Sequence, residues 1–135
     1  MASQAIGTLT VKLSKEKIQQ FEEFFDEKSV NSFANTEIEL VGTKNLSDEI
    51  EERLYDFSCS YSLYSCLVEC YDRNIRDVCD LVGVKELEIE AKNGIENFSE
   101  CIKFRKGKCV YTDSELCSEE VTKLELTPLT EMEAE

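Results

Sequence analysis

Cys109 stands close to Lys106 and Lys108, and this combination comes nearest to a nucleophilic catalytic site in the sequence. Neighbouring cations lower the pKa of a thiol and make it more reactive. The sequence contains no histidine, however, which is the usual base beside a nucleophile. Lysines at a tight turn are usually solvated and leave a nearby thiol unactivated. We therefore predict a protein without catalytic residues.

The cysteines are numerous enough for a zinc site with four thiolates, but their spacing does not favour one. No Cys-x-x-Cys pair occurs, and Cys66 and Cys70 lie in an apolar segment, where cysteine usually acts as a small core residue. An odd number of cysteines without an export signal indicates reduced thiols. We predict no metal site and no other cofactor. The seven cysteines are Cys59, Cys66, Cys70, Cys79, Cys101, Cys109 and Cys117.

Carboxylates are abundant, with 29 Asp and Glu residues against 15 Lys and Arg, and some have the spacing of a helix face. Asp48, Glu52 and Asp56 recur at every fourth position, so on an α-helix they form a stripe with a step of about 6 Å. Ser47 has the side chain of an N-cap. The sequence therefore predicts a short helix over 48–57 with its acid pointing outward. The apolar residues on the opposite face of this helix are Ile50, Leu54 and Phe57.

The excess acid is concentrated in two segments. Residues 46–71 carry one basic residue against six acidic ones, and residues 112–135 carry one against eight. Acidic helix faces are commonly plain solvated surface, but this imbalance favours a surface that binds a basic partner. The residues that we predict to bind the partner are Asp48, Glu49, Glu51, Glu52, Asp56, Glu119 and Glu120.

The net charge of −14 disfavours direct binding to nucleic acid or to an anionic membrane, because all of these carry negative charge. The chain opens without an export signal, and no apolar run is long enough to span a bilayer. We expect a soluble cytoplasmic protein whose partner is a protein or nucleoprotein with a basic surface. A homodimer formed along an exposed sheet edge remains an alternative.

A small-ligand binder is the second functional class that the sequence allows. Tyr61, Tyr64 and Tyr71 could line a pocket between a sheet and its helices, and nucleotides are candidate ligands. Tyrosines of this kind are more often core or sheet-face residues. The glycines form neither a P-loop nor a dinucleotide-binding loop, so no nucleotide motif supports this alternative.

The first half of the chain predicts strands and helices in alternation. Leu9, Val11 and Leu13 alternate with polar residues and indicate a strand. Apolar residues at helical spacing predict a helix at about 15–27, and a second strand precedes Gly42. For the apolar segment 57–71 we favour a central strand with a bulge near Leu63, although a buried helix is an alternative. The apolar residues of the predicted helix and second strand are Ile18, Phe21, Phe25, Ile38 and Leu40.

The second half contains the clearest helix of the sequence. Asp72 can cap it, and Gly83 stands where a left-handed C-cap is expected. The alternating residues 86–92 predict a strand, and Asn93-Gly94 predicts a hairpin turn. A second hairpin is expected at Lys106-Gly107, and the acidic tail could dock as a short helix or strand. The stripe of the helix consists of Ile75, Val78, Cys79 and Val82, and the apolar residues of the tail are Leu116, Val121, Leu124 and Leu126.

This order of elements predicts an α+β fold with a mainly antiparallel, ferredoxin-like (split βαβ) sheet and helices on one face. An extra acidic helix and a C-terminal hairpin complete the prediction. With 135 residues, the chain fits one acidic domain over 1–127, followed by a frayed acidic tail over 128–135.

The segment from Arg76 to Val110, with its turn at Lys106-Gly107-Lys108, resembles ferredoxin-like domains of unknown function that are carried by phages and plasmids. The resemblance covers the outer parts of the chain. A Trp-containing middle segment that is common in that family has no counterpart here, since the chain contains no Trp. The resemblance implies a mobile-element origin. Together with the acidic surface, this origin leads us to expect an inhibitor of a nucleic-acid-dependent host system, such as a CRISPR effector, acting in the host cytoplasm.

Overall fold

The structure is a computed structural model and describes residues 4–26, 28–29, 32–69, 73–93, 98–115 and 121–127. Seven strands and two α-helices are present among these residues, together with a short 3₁₀ helix and a π-helical turn. The strands are β1 (Gln4–Ser14), β2 (Thr36–Asn45), β3 (Ile50–Ser60), β4 (Glu86–Asn93), β5 (Phe98–Arg105), β6 (Lys108–Glu115) and β7 (Val121–Leu126). The helices are the 3₁₀ helix Lys15–Lys17, α1 (Ile18–Glu23), the π-helical turn Tyr64–Val68 and α2 (Ile75–Val82).

All seven strands form one sheet in the order β2-β3-β1-β4-β5-β6-β7. Each neighbouring pair is antiparallel. The predicted α+β class with an antiparallel sheet is therefore confirmed. The sheet is larger than a ferredoxin-like sheet, because β5, β6 and β7 extend it beyond β4.

The hydrophobic core lies on one face of the sheet. Directly opposite residues in an antiparallel pair share a face, and Leu9 is opposite both Tyr55 and Ile89. These three residues are buried, as are Phe21 from α1 and Val78 from α2. The helices cover this face, which we call the helix face. The opposite face carries mainly polar side chains, and we call it the open face.

β1 is confirmed as a half-buried strand, whereas the predicted helix at 15–27 is shorter. The chain passes through one 3₁₀ turn before α1, and α1 ends at Glu23. Phe24 and Phe25 are both buried. Phe21, Phe24 and Phe25 have the i, i+3, i+4 spacing of a buried helix face, which explains why the sequence predicts a longer helix. The chain leaves the helix there and brings Phe33 against both rings, with ring centroids 6.5 and 5.7 Å apart.

The predicted acidic helix at 48–57 is wrong, because Ile50–Ser60 forms strand β3. Tyr55, Phe57 and Cys59 are buried in alternation with exposed or half-buried neighbours, which is the period of a strand. Leu54 was assigned to the same face as Phe57, but it lies on the open face and is 37% exposed. The match to helical spacing was a coincidence, and the acidic residues that imitated a helix N-terminus belong to a hairpin.

β2 continues past Gly42, contrary to the prediction that this glycine ends it. The pairing with β3 shifts register between Leu40 and Gly42, and the strand then runs on to Asn45. Such a bulge inserts one extra residue, so the alternation of side chains changes phase there. The polar residues after the bulge therefore read as a loop in the sequence.

The apolar segment 57–71 is not a continuous strand. β3 ends at Ser60, and Tyr61 adopts a left-handed backbone with φ of 70°. The π-helical turn follows and buries Leu67 and Val68. The phase slip near Leu63 thus marks a chain reversal rather than the bulge that we predicted, and Tyr71 lies outside the described residues.

α2 is confirmed with its buried stripe and with Gly83 as a left-handed C-cap, at φ of 76°. Its N-cap is Asn74. The side chain of Asn74 accepts a hydrogen bond from the Asp77 amide at 3.0 Å, and Asp77 accepts one from the Asn74 amide at 2.8 Å. The predicted cap Asp72 lies outside the described residues.

The predicted strands of the second half are also present, as is the turn at Lys106-Gly107. β4 pairs with β5 as a hairpin, although Gly94 of the predicted turn is outside the described residues. Lys106 and Gly107 have φ of 53° and 76°, the backbone of a type I′ turn. The tail docks as strand β7 against β6. Leu116 and the predicted frayed tail 128–135 are outside the described residues.

No helix among the described residues is both long enough and apolar enough to cross a membrane.

Candidate acidic binding site

The hairpin between β2 and β3 carries two of the predicted binding residues. Asp48 and Glu49 are exposed in its turn. The Ser47 hydroxyl accepts hydrogen bonds from the amides of Glu49 and Ile50, at 3.2 and 3.1 Å. Ser47 therefore does cap backbone amides, but these amides belong to a turn rather than to a helix.

The remaining predicted residues are divided between the two faces of the sheet. Glu51 lies on the helix face, with its carboxylate 3.4 Å from Nε of Arg53. Glu52 and Asp56 lie on the open face, and Glu52 is opposite Lys12 on β1. The structure thus separates this set instead of forming one acidic stripe. Glu119 and Glu120 lie outside the described residues.

A groove with a volume of about 1080 Å³ runs along β2, at the edge of the sheet, and carboxylates dominate its polar lining. Among its described lining residues, six are acidic and Lys28 is basic. Asp56 is the one predicted binding residue in this set. The groove includes residues from both faces, so it extends around the edge strand. The carboxylates that define this acidic groove are Glu22, Glu23, Asp26, Glu37, Glu39 and Asp56.

Two acidic residues of the groove face each other across neighbouring strands. Glu39 on β2 is directly opposite Asp56 on β3, and Glu37 is opposite the next open-face residue of β3, Ser58. Directly opposite residues are about 5 Å apart at Cβ, and like charges at that separation destabilise a sheet. Within the described part of the chain, no ion pair involves Glu37, Glu39 or Asp56. A cation in the groove would relieve this repulsion.

Glu22 from α1 is a groove carboxylate with side-chain partners inside the fold. It accepts a hydrogen bond from the Tyr55 hydroxyl at 2.8 Å and lies 3.8 Å from Nη1 of Arg53. Burial raises the pKa of the Tyr55 phenol, and the hydrogen bond to the Glu22 carboxylate raises it further. This contact fixes α1 against β3 and so sets the width of the groove.

Charges farther along the open face neutralise one another. Lys12 Nζ lies 2.8 Å from Glu86, and Arg105 Nε lies 3.3 Å from the same carboxylate. The hydrogen bond between Lys12 and Glu86 raises the pKa of the lysine and lowers that of the carboxyl. Lys103 lies 3.6 Å from Glu88. The unbalanced negative charge of the open face is therefore concentrated toward β2.

The groove also has exposed apolar groups beside its acids. Ile6 on β1 is 60% exposed, and Leu40 and Val41 on β2 are 43% and 56% exposed. β2 is an edge strand, so one side of its backbone has no neighbouring strand in the sheet. A ligand at this edge can therefore meet negative charge, apolar side chains and unpaired backbone groups together.

Gly7 permits a close approach of β1 to β4 beside the groove. A Cβ atom at this position would overlap the carbonyl group of Glu90, whereas a Cβ at Gly42 on β2 would meet open space. The absence of a side chain at Gly7 is therefore a requirement of the sheet. Gly7 lines both the acidic groove and a second depression on the open face.

The second depression has a volume of about 440 Å³ and crosses β1, β4, β5 and β6. Its polar lining is rich in hydroxyl groups, and its charged residues are the basic Lys92 and the acidic Glu90, Glu100 and Asp113. Tyr61 and Tyr64, which we expected to line a ligand pocket, border neither this depression nor the acidic groove. The hydroxyl groups belong to Thr8, Ser99, Thr112 and Ser114.

Glu100 is a buried carboxylate that organises the π-helical turn. It accepts hydrogen bonds from the amides of Leu63 and Tyr64, at 2.9 and 3.1 Å, and from the Tyr111 hydroxyl at 2.6 Å. Burial raises the pKa of Glu100, while these hydrogen bonds act in the opposite direction. The carboxylate has the partners expected of a structural residue, and no pattern in the sequence indicates this role.

The cysteine that we considered for catalysis is buried. Cys109 faces the core from β6, and desolvation raises the pKa of its thiol to about 12. Lys106 and Lys108 are exposed and do not activate it. None of the five described cysteines forms a disulfide, and no group of three or more metal-binding side chains occurs in the described ranges. Cys70 and Cys117 are outside those ranges.

The sequence did contain the signal for Glu37 and Glu39, which alternate with Ile38 and Leu40 in a predicted strand. It could not indicate that this strand lies at an edge beside β3, and so it missed the meeting of these acids with Asp56 and α1.

Comparisons with protein-family models, with curated proteins and with solved structures found no match to this chain.

Proposed function

We propose that this protein is a non-catalytic binding protein whose acidic groove takes up a basic, extended segment of a partner protein. The acidic groove carries the proposal, because six carboxylates and one lysine form its described charged lining. A ligand with several Lys or Arg side chains complements this charge. The net charge of −14 adds long-range attraction that increases the association rate at low salt.

The position of the groove at β2 favours an extended partner over a helical one. A peptide that adds to a sheet edge gains backbone hydrogen bonds, and its alternate side chains enter the groove. The part of β2 before the bulge, Thr36–Leu40, offers a regular edge for such pairing. Glu37 and Glu39 then lie beside alternate residues of the peptide on the open face.

The edge of β2 is less suited to a second copy of this chain. Antiparallel pairing of two β2 strands would bring Glu37 and Glu39 of both copies close together, and like charges across a strand pair are destabilising. The homodimer expected as an alternative is therefore disfavoured at this edge.

The proposed competition with nucleic acid follows from the same charge. A protein site that binds phosphates through Lys and Arg attracts an acidic protein by the same electrostatic interaction, and the two ligands exclude each other. We propose an inhibitor of a nucleic-acid-dependent protein, acting in the cytoplasm and of mobile-element origin.

We further propose that β1, α1, β2, β3, α2 and β4 form a split βαβ unit of the ferredoxin-like kind. Their chain order, together with the sheet order β2-β3-β1-β4, supports this assignment. β5, β6 and β7 would then be additions at one edge, which leaves the β2 edge available to the partner.

The proposal is tested by binding of a fluorescent oligo-arginine peptide, followed by anisotropy over a range of salt concentrations. Neutralising the groove with Glu37→Gln, Glu39→Gln and Asp56→Asn should weaken binding by about tenfold or more at low salt, since this removes three charges that complement the peptide. The matched control is Asp48→Asn with Glu49→Gln, which removes two exposed carboxylates from the distant hairpin turn.

Retention of affinity by the groove variant, or an equal loss in the hairpin variant, would contradict binding in the groove. The inhibitory role has its own test. The protein should displace nucleic acid from a basic nucleic-acid-binding protein in competition assays, whereas the groove variant should not.

A small-ligand function is the second candidate, favoured by the hydroxyl-rich depression on the open face. Lys92 there could pair with a phosphate, and the hydroxyls could bind a ribose. A nucleotide that binds the native state raises the melting temperature. Thermal shift with nucleotides, compared between the unmodified protein and Lys92→Met, tests this role. No shift with any nucleotide removes it.

A further inference from the structure

Two cysteine thiols from different elements lie at the same end of the sheet. Cys59 is a buried residue of β3, and Cys66 is a half-buried residue of the π-helical turn. Cys66 packs against the hydrophobic core that contains Cys59, and each thiol influences the pKa of the other. The Cys66 thiol also lies 3.0 Å from the carbonyl oxygen of Ser60, the residue next to Cys59. The Cys66 thiol therefore lies against the end of β3 that carries Cys59.

Separate anchors hold each thiol in place. Cys59 is paired with Ala5 on β1 and with Thr36 on β2, so its backbone is fixed within the sheet. The turn that carries Cys66 is fixed through the carboxylate of Glu100, which accepts hydrogen bonds from the amides of Leu63 and Tyr64. A bond between the sulfurs requires a separation of about 2.05 Å, so the turn must move toward β3 as the bond forms.

The surroundings make the two thiols unequal in reactivity. A hydrogen bond from Cys59 stabilises the Cys66 thiolate and lowers the pKa of Cys66 to about 7, and the hydroxyl of Ser65 acts in the same direction. The pKa of Cys59 is raised by the same interaction with Cys66 and by burial. Cys66 is therefore suited to attack an external disulfide, whereas the buried Cys59 can react only with a disulfide that has formed on Cys66.

We propose that Cys59 and Cys66 form an oxidisable dithiol site that reacts with low-molecular-weight disulfides of the glutathione type. In the first step, the Cys66 thiolate attacks one sulfur of glutathione disulfide. The disulfide bond breaks, one glutathione leaves as its thiolate and takes up a proton, and the other stays bound to Cys66. This step requires access to solvent, which Cys66 has and Cys59 lacks.

In the second step, Cys59 loses its proton and attacks Sγ of Cys66. The mixed disulfide breaks, and the second glutathione leaves and takes up the proton. Two protein thiols are then oxidised to one disulfide, while one glutathione disulfide is reduced to two glutathione molecules. The new bond cross-links the π-helical turn to β3. This site is independent of the proposed binding function.

The test incubates the fully reduced protein with glutathione disulfide in the absence of air, followed by acid quenching and non-reducing peptide mapping. We expect a product that has lost two hydrogen atoms, carries no glutathione and contains a Cys59–Cys66 linked peptide pair. This measurement on the unmodified chain does not depend on any variant being able to fold.

Variants separate the two steps. Cys59→Ser should accumulate a stable glutathione adduct on Cys66, because the resolving thiol is missing, and Cys59→Ala replaces it if the serine is not tolerated. Cys66→Ser should lose the reaction at Cys59, since that thiol is buried. The matched control is Cys101→Ser. This variant lacks a half-buried thiol of β5, whose pKa burial raises to about 11, and it should react like the unmodified protein.

Three results would overturn the proposal. The first is a stable glutathione adduct as the end product of the unmodified protein. The second is a bond from Cys66 to any other cysteine, including Cys70. The third is an unchanged yield of disulfide in Cys59→Ser.

Discussion

Glu39 and Asp56 are directly opposite each other on the open face, and this like-charge pair costs stability. Most other charges of that face meet an opposite charge, as Lys12 meets Glu86. A repulsive pair of carboxylates at an accessible edge is expected where a protein uses these charges to bind a basic ligand. Stability and binding should therefore respond in opposite directions to its removal.

Asp56→Asn should raise the free energy of unfolding by roughly 0.2–1 kcal/mol, because it removes the repulsion from Glu39 while keeping the shape of the side chain. Urea denaturation measures this gain, and the oligo-arginine peptide should bind the same variant more weakly. Asp48→Asn in the hairpin turn is the control and should change neither quantity. A loss of stability in Asp56→Asn would mean that the carboxylate is needed by the fold itself.

Gly7→Ala should destabilise the protein by about 3 kcal/mol or more, because the new methyl group would overlap the backbone of β4 at Glu90. Gly42→Ala is a close control. It also adds one methyl group in a strand, but into open space. Denaturation of both variants should give a large loss for Gly7→Ala and little change for Gly42→Ala. Similar values would show that β1 and β4 are farther apart than described.

Glu100 should make a distinct contribution to the pH dependence of stability. Burial raises its pKa in the folded state, so the folded protein holds this proton more tightly than the unfolded chain. The resulting stabilisation is fully present below the unfolded pKa and is lost as the pH rises through the folded value. The difference in unfolding free energy between the unmodified protein and Glu100→Gln should therefore fall as the pH rises above about 4.5.

The same difference measured with Glu88→Gln, an open-face carboxylate near Lys103, serves as the control for Glu100. A flat difference for Glu100→Gln across the acidic range would contradict a raised pKa.

Among the elements, those with one strong local signal were predictable from the sequence. α2 has its apolar stripe and Gly83, and the β5–β6 hairpin has Lys106-Gly107. The β3 segment was mistaken for a helix because Ile50, Leu54 and Phe57 also fit helical spacing. Its strand character depends on pairing with β1 and β2, which are distant in sequence, and tertiary pairing overrode the local pattern.

The π-helical turn was unpredictable for a related reason. Its first amides are capped by Glu100, which lies more than thirty residues away in the sequence. No residue within the turn indicates that a distant carboxylate caps its amides. The left-handed backbone of Tyr61 gave no signal either, since aromatic residues rarely adopt it.

Asn74→Ala should destabilise the protein by about 0.5–2 kcal/mol, because Asn74 forms both bonds of the capping box of α2. The upper part of this range is expected, since the Asn74 side chain also donates a hydrogen bond to the Thr127 carbonyl at 2.9 Å and so ties α2 to the end of β7. Thermal and chemical denaturation measure the loss. Asn45→Ala, at an exposed asparagine of β2, should have little effect. Equal effects would mean that the cap is not formed.

At the scale of the whole molecule, the sequence indicated the fold class and the acidic character but not the strand order. The alternation of residues in each strand indicates which side is buried. It does not indicate which other strands pair with it. The acidic groove depends on that missing information, because residues from α1, β2 and β3 meet at one sheet edge. A single amphipathic helix would have been visible in the sequence, whereas a site assembled from three elements was not.

The whole-molecule account implies that binding is localised although the negative charge is widespread. The hairpin turn, the C-terminal segment and the acidic groove all carry excess acid. A diffuse electrostatic interaction would involve all three. Binding along the β2 edge would involve the acidic groove and not the other two segments.

Amide chemical-shift mapping by NMR, during titration with an oligo-arginine peptide at moderate salt, tests this claim most directly. We predict that the largest changes occur at residues 37–40 of β2, at Asp56 and at Ile6, together with slower hydrogen exchange of β2 amides. Small changes distributed over all acidic segments, or changes centred on the 46–49 turn, would contradict the account.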